Sequence, residues 1–297
     1  MNAASFRALL SGRPLLLDAA LGTELSRRGA PAAAPLWSAR AVLEAPDLVL
    51  EVHRENAAAG ADVLTAGTFR TQPGLLGEAA REATRLAVAL ARRASEARPG
   101  ILVAGSVAPV ADCWRPDLVP GDAELARLHA LHAGSLAAAG VDFLLLEPFG
   151  TAREWLAAAR AASATGLPVV ACATTREDGA LLSGEPLAGA ALALLELSDP
   201  PVAVGVNCVA ARRLGASLAL LGAAAPGVPL AAFGNTGLPL DEAAGAFAEP
   251  IEPAAYAAVA EGWVALGARL VGGCCGTRAE HVAALAARLH PDRSPRA

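Results

Sequence analysis

The sequence predicts an α/β fold, a (β/α)8 TIM barrel formed by residues 1–297 as a single domain. Short apolar runs rich in Val, Leu and Ala alternate with Ala, Leu, Arg and Glu segments of helical length. Eight such runs are present, the number of strands that closes this kind of barrel. The alternative is an open doubly wound sheet, but its Gly-x-Gly-x-x-Gly motif does not follow the first strand, where Asp18-Ala19-Ala20-Leu21-Gly22-Thr23 stands.

The predicted elements follow in order along the chain. Strands are predicted over residues 15–19, 62–66, 102–106, 142–146, 169–174, 202–207, 230–233 and 269–272. Helices are predicted over residues 47–59, 75–97, 122–139, 152–163 and 253–266. Four glycines stand just before strands, where helices commonly end on a left-handed residue: Gly60, Gly140, Gly166 and Gly267.

Chemically unusual residues fall where the predicted strands end. Active sites of (β/α)8 barrels form at the C-terminal ends of the strands. The residues at these ends include two carboxylates, an asparagine and three thiols: Asp18, Glu147, Asn235, Cys208, Cys274 and Cys275. The sequence therefore predicts a functional site in which these side chains surround one mouth of the barrel.

The cysteine pattern predicts a metal site. Cys274 and Cys275 are adjacent and framed by glycines, which permit the irregular turn that lets both sulfurs face one ion. Three thiolates with an open fourth position are typical of catalytic zinc. Redox chemistry is the alternative, but no Cys-x-x-Cys spacing supports it. Without the adjacent pair, Cys208 would be interpreted as a small hydrophobic side chain at the end of a buried strand. Cys113 and Cys172 are interpreted as structural.

Composition excludes several classes of function. The net charge of −5 and the pI near 5.6 argue against nucleic acid or an acidic membrane as the main partner. All 24 basic residues are arginine, which excludes a Schiff-base lysine and lysine-dependent phosphate loops. No targeting segment or membrane span is recognised, and three of the five cysteines form the metal-like set. We expect a cytoplasmic protein with small-molecule partners, and the oligomeric state stays open.

Three motifs together resemble the zinc-dependent homocysteine S-methyltransferase family, over nearly the whole chain. They are Asp18-x-x-x-Gly22-Thr23-Glu24-Leu25, Gly205-Val206-Asn207-Cys208 and Gly273-Cys274-Cys275-Gly276. The resemblance implies a TIM barrel with Zn²⁺ held by the three cysteines. It also implies transfer of a methyl group to the thiol of L-homocysteine, giving methionine. The zinc-activated substrate thiol is then the nucleophile, and no further catalytic side chain is expected.

Homocysteine also carries an ammonium group and a carboxylate. Asp18 and Glu147 suit the ammonium, and the family resemblance points to these two positions. Backbone N–H groups near Gly22 and Thr23, at the start of a helix, suit the carboxylate. Asn235 either orients the substrate or caps its own loop.

The methyl donor is predicted to be a small onium compound, S-methylmethionine or S-adenosylmethionine. Trp37 matches a tryptophan of the family near the first loop, but Arg70 and Pro148 stand where betaine-using relatives carry tyrosines. Betaine is therefore disfavoured, since a quaternary ammonium needs an aromatic cage. Arg70 either holds the carboxylate of S-methylmethionine or turns outward to Glu78 or Glu82.

Two other functions stay open at this point. One is a methyltransferase subunit that takes the methyl group from a separate corrinoid protein to a thiol. The other is a zinc- or thiol-binding protein without catalysis, which the absence of Asp18 or Glu147 would favour; both residues are present.

Overall fold

The computed structural model describes residues 1–31, 35–241 and 246–292, with ten strands and twelve α-helices in these ranges. The strands are β1 (Leu15–Leu16), β2 (Val63–Ala66), β3 (Leu102–Val107), β4 (Phe143–Phe149), β5 (Val169–Ala173), β6 (Ala203–Ala210), β7 (Leu230–Asn235), β8 (Leu238–Asp241), β9 (Ala246–Ala248) and β10 (Ala268–Gly273). The helices are α1 (Ala3–Leu10), α2 (Leu21–Arg27), α3 (Ser38–Glu44), α4 (Pro46–Ala59), α5 (Pro73–Leu76), α6 (Ala80–Ser95), α7 (Asp122–Ala139), α8 (Ala152–Ser163), α9 (Leu187–Leu195), α10 (Ala211–Ala224), α11 (Pro253–Ala265) and α12 (Ala279–Leu289).

Eight parallel strands form a (β/α)8 barrel, which confirms the predicted fold class. Their order is β1-β10-β7-β6-β5-β4-β3-β2. The two ends of this sheet meet, because Leu17 forms a parallel bridge with Val63. The backbone N–H of Asp18 also donates to the carbonyl of Val63 at 3.0 Å. The remaining two strands, β8 and β9, form an antiparallel hairpin after β7 that the sequence did not predict.

The four glycines predicted at helix ends all have positive φ, and two of them cap helices. Gly60 and Gly140 cap α4 and α7 in the left-handed conformation, with φ of 110° and 86°. The predicted single helix over residues 75–97 is wrong in its first part. Gly77, at φ 53° and ψ −126°, separates α5 from a short 3-10 turn and from α6, so the chain bends there.

The barrel interior is packed by alternate residues of the strands and is closed at the N-terminal end by α1. Phe6 and Leu10 of α1 are fully buried in the same apolar cluster as the inward side chains of the barrel. The ring of Phe6 lies 4.6 Å from that of Phe143, at the start of β4. With this end filled, the C-terminal mouth is left for a site. Among the described helices, none is long and apolar enough to cross a membrane.

Candidate metal centre and substrate cavity

Cys208 is aimed into the mouth of the barrel by a bulge in β6. The pairing of β6 with β7 shifts register between Asn207 and Val209. Cys208 adopts φ 58°, a conformation that residues other than glycine rarely take. Such strain is a cost that the surrounding structure must sustain, and it is commonly found at functional sites.

Cys274 and Cys275 lie on an irregular turn that starts where β10 ends, as the glycine-rich sequence predicts. Gly276 has φ 81°, which a glycine adopts readily. The hydroxyl of Thr277 donates to the carbonyl of Cys274 at 2.7 Å, and the N–H of Gly276 donates to Oγ1 of Thr23 at 3.1 Å. The turn is thus held both by its own residues and by α2.

The three thiols come close enough to share one ion. Sγ of Cys275 lies 3.6 Å from Sγ of Cys208 and 4.0 Å from Sγ of Cys274, and all three atoms lie within 4.8 Å of one another. Tetrahedral zinc with Zn–S bonds of about 2.3 Å requires sulfurs about 3.8 Å apart. The donor set and its spacing therefore fit a zinc ion, and the side of the cluster that faces the cavity is left for a fourth ligand.

The contacts among the three thiols favour a thiolate at one position. Hydrogen bonds from the thiols of Cys208 and Cys275 hold the pKa of Cys274 well below its usual range. The pKa of Cys208 is raised, because its thiol proton is shared with Cys274 and Cys275 and because it is buried. Cys274 is thus the thiol that loses its proton most readily, and thiolates are the form that binds metals.

A cavity of about 120 Å³ opens beside the thiols at the C-terminal mouth. Its wall includes the carboxylates of Asp18 and Glu147 and the aromatic rings of Trp37 and Phe69. No basic side chain of the described residues lines it. The cavity therefore suits a small ligand that carries a positive charge.

Asp18 is held rigidly at the end of the first strand. Its carboxylate accepts hydrogen bonds from the N–H and the hydroxyl of Thr65, both at 2.8 Å. Burial raises the pKa of Asp18 to about 7, against the effect of these hydrogen bonds. Nδ1 of His53, from α4, lies 4.0 Å from the carboxylate. His53 is fully buried, and burial lowers its pKa to about 4, so the imidazole is neutral.

Glu147 is held by two residues to which the sequence analysis gave no role. Ser106 donates to Oε1 at 3.0 Å and the amide of Asn207 donates to Oε2 at 3.2 Å. Both line the cavity, and both end predicted strands, so their position at the barrel mouth was the available signal. Burial, followed by the negative charge of Cys274, raises the pKa of Glu147 to about 8.

Gly22, Thr23 and Trp37 form one side of the cavity. A methyl group on Gly22 would lie 2.8 Å from Cζ2 of Trp37, so the indole packs directly on the glycine backbone. The indole meets the ring of Phe69 edge-on, with 6.1 Å between centroids. The hydroxyl of Thr23 is engaged by Gly276, so its side chain supports the cysteine turn as well as lining the cavity.

Arg70 does not reach the cavity wall. Its guanidinium donates to the carbonyl of Ala111 at 3.2 Å and lies 5.0 Å from the ring centre of Phe69. Glu82, one of the two outward partners considered, is paired with Arg85. The donor-binding role of Arg70 stays a prediction that the geometry does not support.

Asn235 and the two remaining cysteines occupy different surroundings. Asn235 is fully buried at the end of β7, and its amide has no hydrogen-bond partner among the described residues. Asn235 is not among the residues that line the cavity, so its substrate role also stays a prediction. Cys172 is buried in the barrel interior, as expected of a structural cysteine. Cys113, also interpreted as structural, lines the cavity.

Several known proteins that resemble this chain over nearly its whole length share one enzyme name. The family model for homocysteine S-methyltransferase matches residues 15–289. The chain is 35% identical to homocysteine S-methyltransferase of Escherichia coli K12, covering 95% of this chain and 97% of that protein. It is 28% identical to homocysteine S-methyltransferase YbgG of Bacillus subtilis, covering 94% and 96%. The crystal structure of the metallated form of E. coli homocysteine methyltransferase MmuM superposes with a TM-score of 0.82 at 32% identity, covering 95% of this chain and 99% of that one. The chain belongs to the homocysteine S-methyltransferase family of enzymes.

Proposed function

We propose that this enzyme transfers a methyl group from a small sulfonium donor to the thiol of L-homocysteine, giving methionine, with Zn²⁺ bound by Cys208, Cys274 and Cys275. The observation that carries the proposal is the composition of one cavity wall. Three convergent thiols and two carboxylates lie together there, and no basic side chain of the described residues joins them. Family membership agrees with this assignment.

The proposed zinc would supply one effect, a lowered pKa of the substrate thiol that keeps it nucleophilic near neutral pH. The protein contributes alignment. The bulge at Cys208 and the turn after Gly273 fix the three sulfurs in the wall of the cavity, so they would hold the zinc beside the space for the substrate sulfur. Holding thiol and methyl donor in line converts a bimolecular step into one within a single complex.

Asp18 and Glu147 are proposed to pair with the substrate ammonium. Both are anchored by hydrogen bonds from Thr65, Ser106 or Asn207, so neither needs to reorganise to receive the ligand. Their raised pKa values mean that a positive charge in the cavity would favour loss of their protons. The substrate carboxylate is assigned to backbone N–H groups at the start of α2, near Gly22 and Thr23, which line the same cavity.

The donor is proposed to be S-methylmethionine or S-adenosylmethionine. Both present a cationic sulfonium, and the rings of Trp37 and Phe69 in the cavity wall suit a cation, as do the two carboxylates. Pro148 lines the cavity where betaine-using relatives would place a tyrosine, so a full aromatic cage for a quaternary ammonium is missing.

The test is methyl transfer to homocysteine with a panel of donors, measured as methionine by mass spectrometry. S-methylmethionine, S-adenosylmethionine, betaine and a methylated corrinoid protein are compared at equal concentration, with and without added zinc. We expect one or both sulfonium compounds to support turnover. Betaine as the best donor would contradict the donor assignment, and turnover only with the corrinoid protein would favour the alternative function.

A further inference from the structure

The hydroxyl of Tyr256 lies at the junction of β7 with β10, the strand that leads to Cys274 and Cys275. Tyr256 is the only tyrosine in the chain and belongs to α11, on the outside of the barrel. Its Oη lies 2.8 Å from the carbonyl oxygen of Gly234 in β7 and 2.8 Å from that of Gly272 in β10. A single hydroxyl proton is thus placed between two strands, two residues before Cys274.

The same hydroxyl also serves as an acceptor opposite the bulge that aims Cys208. The N–H of Gly234 donates to Oη of Tyr256 at 3.1 Å. Gly234 is the residue of β7 that pairs with Val209, immediately after the register shift. The bulge disturbs the regular ladder between β6 and β7 at this step, and the phenol oxygen supplies an acceptor there.

A direct contact links this junction to the second metal ligand. The N–H of Cys274 donates to the carbonyl of Gly234 at 2.9 Å, which is the carbonyl that also faces the phenol. Gly234 is therefore held by the tyrosine on both its N–H and its C=O while it holds the backbone of Cys274. One hydroxyl thus contacts β10, which leads to Cys274 and Cys275, and β7, which pairs with the strand that carries Cys208.

The ring of Tyr256 has little freedom to move its hydroxyl elsewhere. It is fully buried and meets the rings of Trp263 and His281 edge-on, at 5.6 and 5.4 Å. Trp263 packs so closely on the strand that a methyl group on Gly234 would lie 2.9 Å from the indole. The position of the phenol is thus fixed from the helix side.

We propose that Tyr256 is a positioning residue for the metal centre, which sets the spacing of β6, β7 and β10 so that the three sulfurs converge. Tyr256 does not line the substrate cavity and acts only through the backbone of Gly234 and Gly272. The inference rests on the zinc site of the proposed function. It adds that zinc affinity depends on a hydroxyl that is not itself a ligand. Residues that hold the ligands of a metal site commonly influence the affinity for the metal.

The test is the zinc affinity of Tyr256→Phe, measured by competition with a chromogenic chelator under reducing conditions without substrates. The variant keeps the ring and its packing but removes the hydroxyl. We expect zinc to bind about tenfold more weakly than to wild type. The d–d absorption bands of the cobalt-substituted variant should also shift, because they report ligand geometry.

The matched control is Trp155→Phe, a change of a fully buried ring on α8 whose indole nitrogen has no hydrogen-bond partner among the described residues. We expect it to lower stability and leave zinc affinity within twofold of wild type. Equal affinity of Tyr256→Phe and wild type would overturn the inference, as would an equal loss in the control. A wild-type protein that binds no zinc would instead overturn the proposed function, and this inference with it.

A second measurement on the wild-type protein covers the case in which Tyr256→Phe does not fold. Because the chain has one tyrosine, labelling with ¹³Cζ-tyrosine gives one NMR signal from this ring. We expect that signal to shift when zinc is added, since the hydroxyl contacts the carbonyl of Gly234, which also accepts from the N–H of Cys274. A signal unchanged by saturating zinc would overturn the inference.

Discussion

Replacing Glu147 by glutamine removes from the cavity a group that can carry a negative charge, and little else. The new amide keeps an oxygen for the hydroxyl of Ser106, which now donates to the carboxylate at 3.0 Å. Its NH₂ group would face the amide of Asn207, whose oxygen is buried and has no partner among the described residues. A rotation of that amide presents the oxygen, so the substitution satisfies both neighbours.

The expected loss depends on pH because Glu147 is partly protonated in the substrate-free protein. A charged hydrogen bond to the substrate ammonium is worth about 3 kcal/mol. Because the pKa of Glu147 is raised to about 8, ionising this residue at pH 7 costs about 1.4 kcal/mol, which reduces the net gain from the hydrogen bond. The variant should therefore lose about tenfold to twentyfold in kcat/KM for homocysteine at pH 7, and about 100-fold at pH 8.5.

The assay is initial-rate methionine formation at varied homocysteine and saturating donor, at both pH values. The zinc content should change less than twofold, because Glu147 is not one of the three proposed zinc ligands. Glu185→Gln is the matched control, since Glu185 is also partly buried and hydrogen-bonded but does not line the cavity. Equal kcat/KM of Glu147→Gln and wild type at both pH values would refute the reasoning.

Three further outcomes follow from the same contacts. In wild type, kcat/KM for homocysteine should rise from pH 6 to pH 8. The raised pKa values leave Asp18 and Glu147 neutral at low pH, and only their ionised forms pair with the ammonium. A flat profile would contradict this. Gly22→Ala should lower the free energy of unfolding by about 1–3 kcal/mol in a denaturant titration, because its methyl group meets Trp37, and unchanged stability would disprove that contact. Arg70→Gln should change the KM of S-methylmethionine less than threefold, because its guanidinium lies on a loop carbonyl outside the cavity; a tenfold rise would restore its donor role.

The parts of the site that the sequence predicted are those fixed by local chemistry. The glycines around Cys274 and Cys275 require an irregular turn, and the ends of alternating strands locate Asp18, Glu147 and Cys208 at one mouth. The structure brings the three sulfurs together as that pattern predicts.

The parts that were missed depend on contacts between distant segments. The sequence around Tyr256 does not show that α11 places its hydroxyl at a strand junction. The sequence around His53 likewise does not show that α4 places its imidazole behind Asp18. The α1 helix was missed because its role is to fill the N-terminal end of the barrel, which only the closed sheet reveals. The side of the chain to which Arg70 turns depends on the loop after β3.

The proposed function depends most directly on zinc held by three cysteine sulfurs with a place for the substrate sulfur. X-ray absorption at the zinc edge, on purified reduced protein with and without homocysteine, measures this. We expect one zinc per chain with three sulfur ligands at about 2.3 Å, rising to four when homocysteine is added. A reduced protein that transfers methyl groups without bound zinc, or a sulfur count that homocysteine leaves unchanged, would contradict the account.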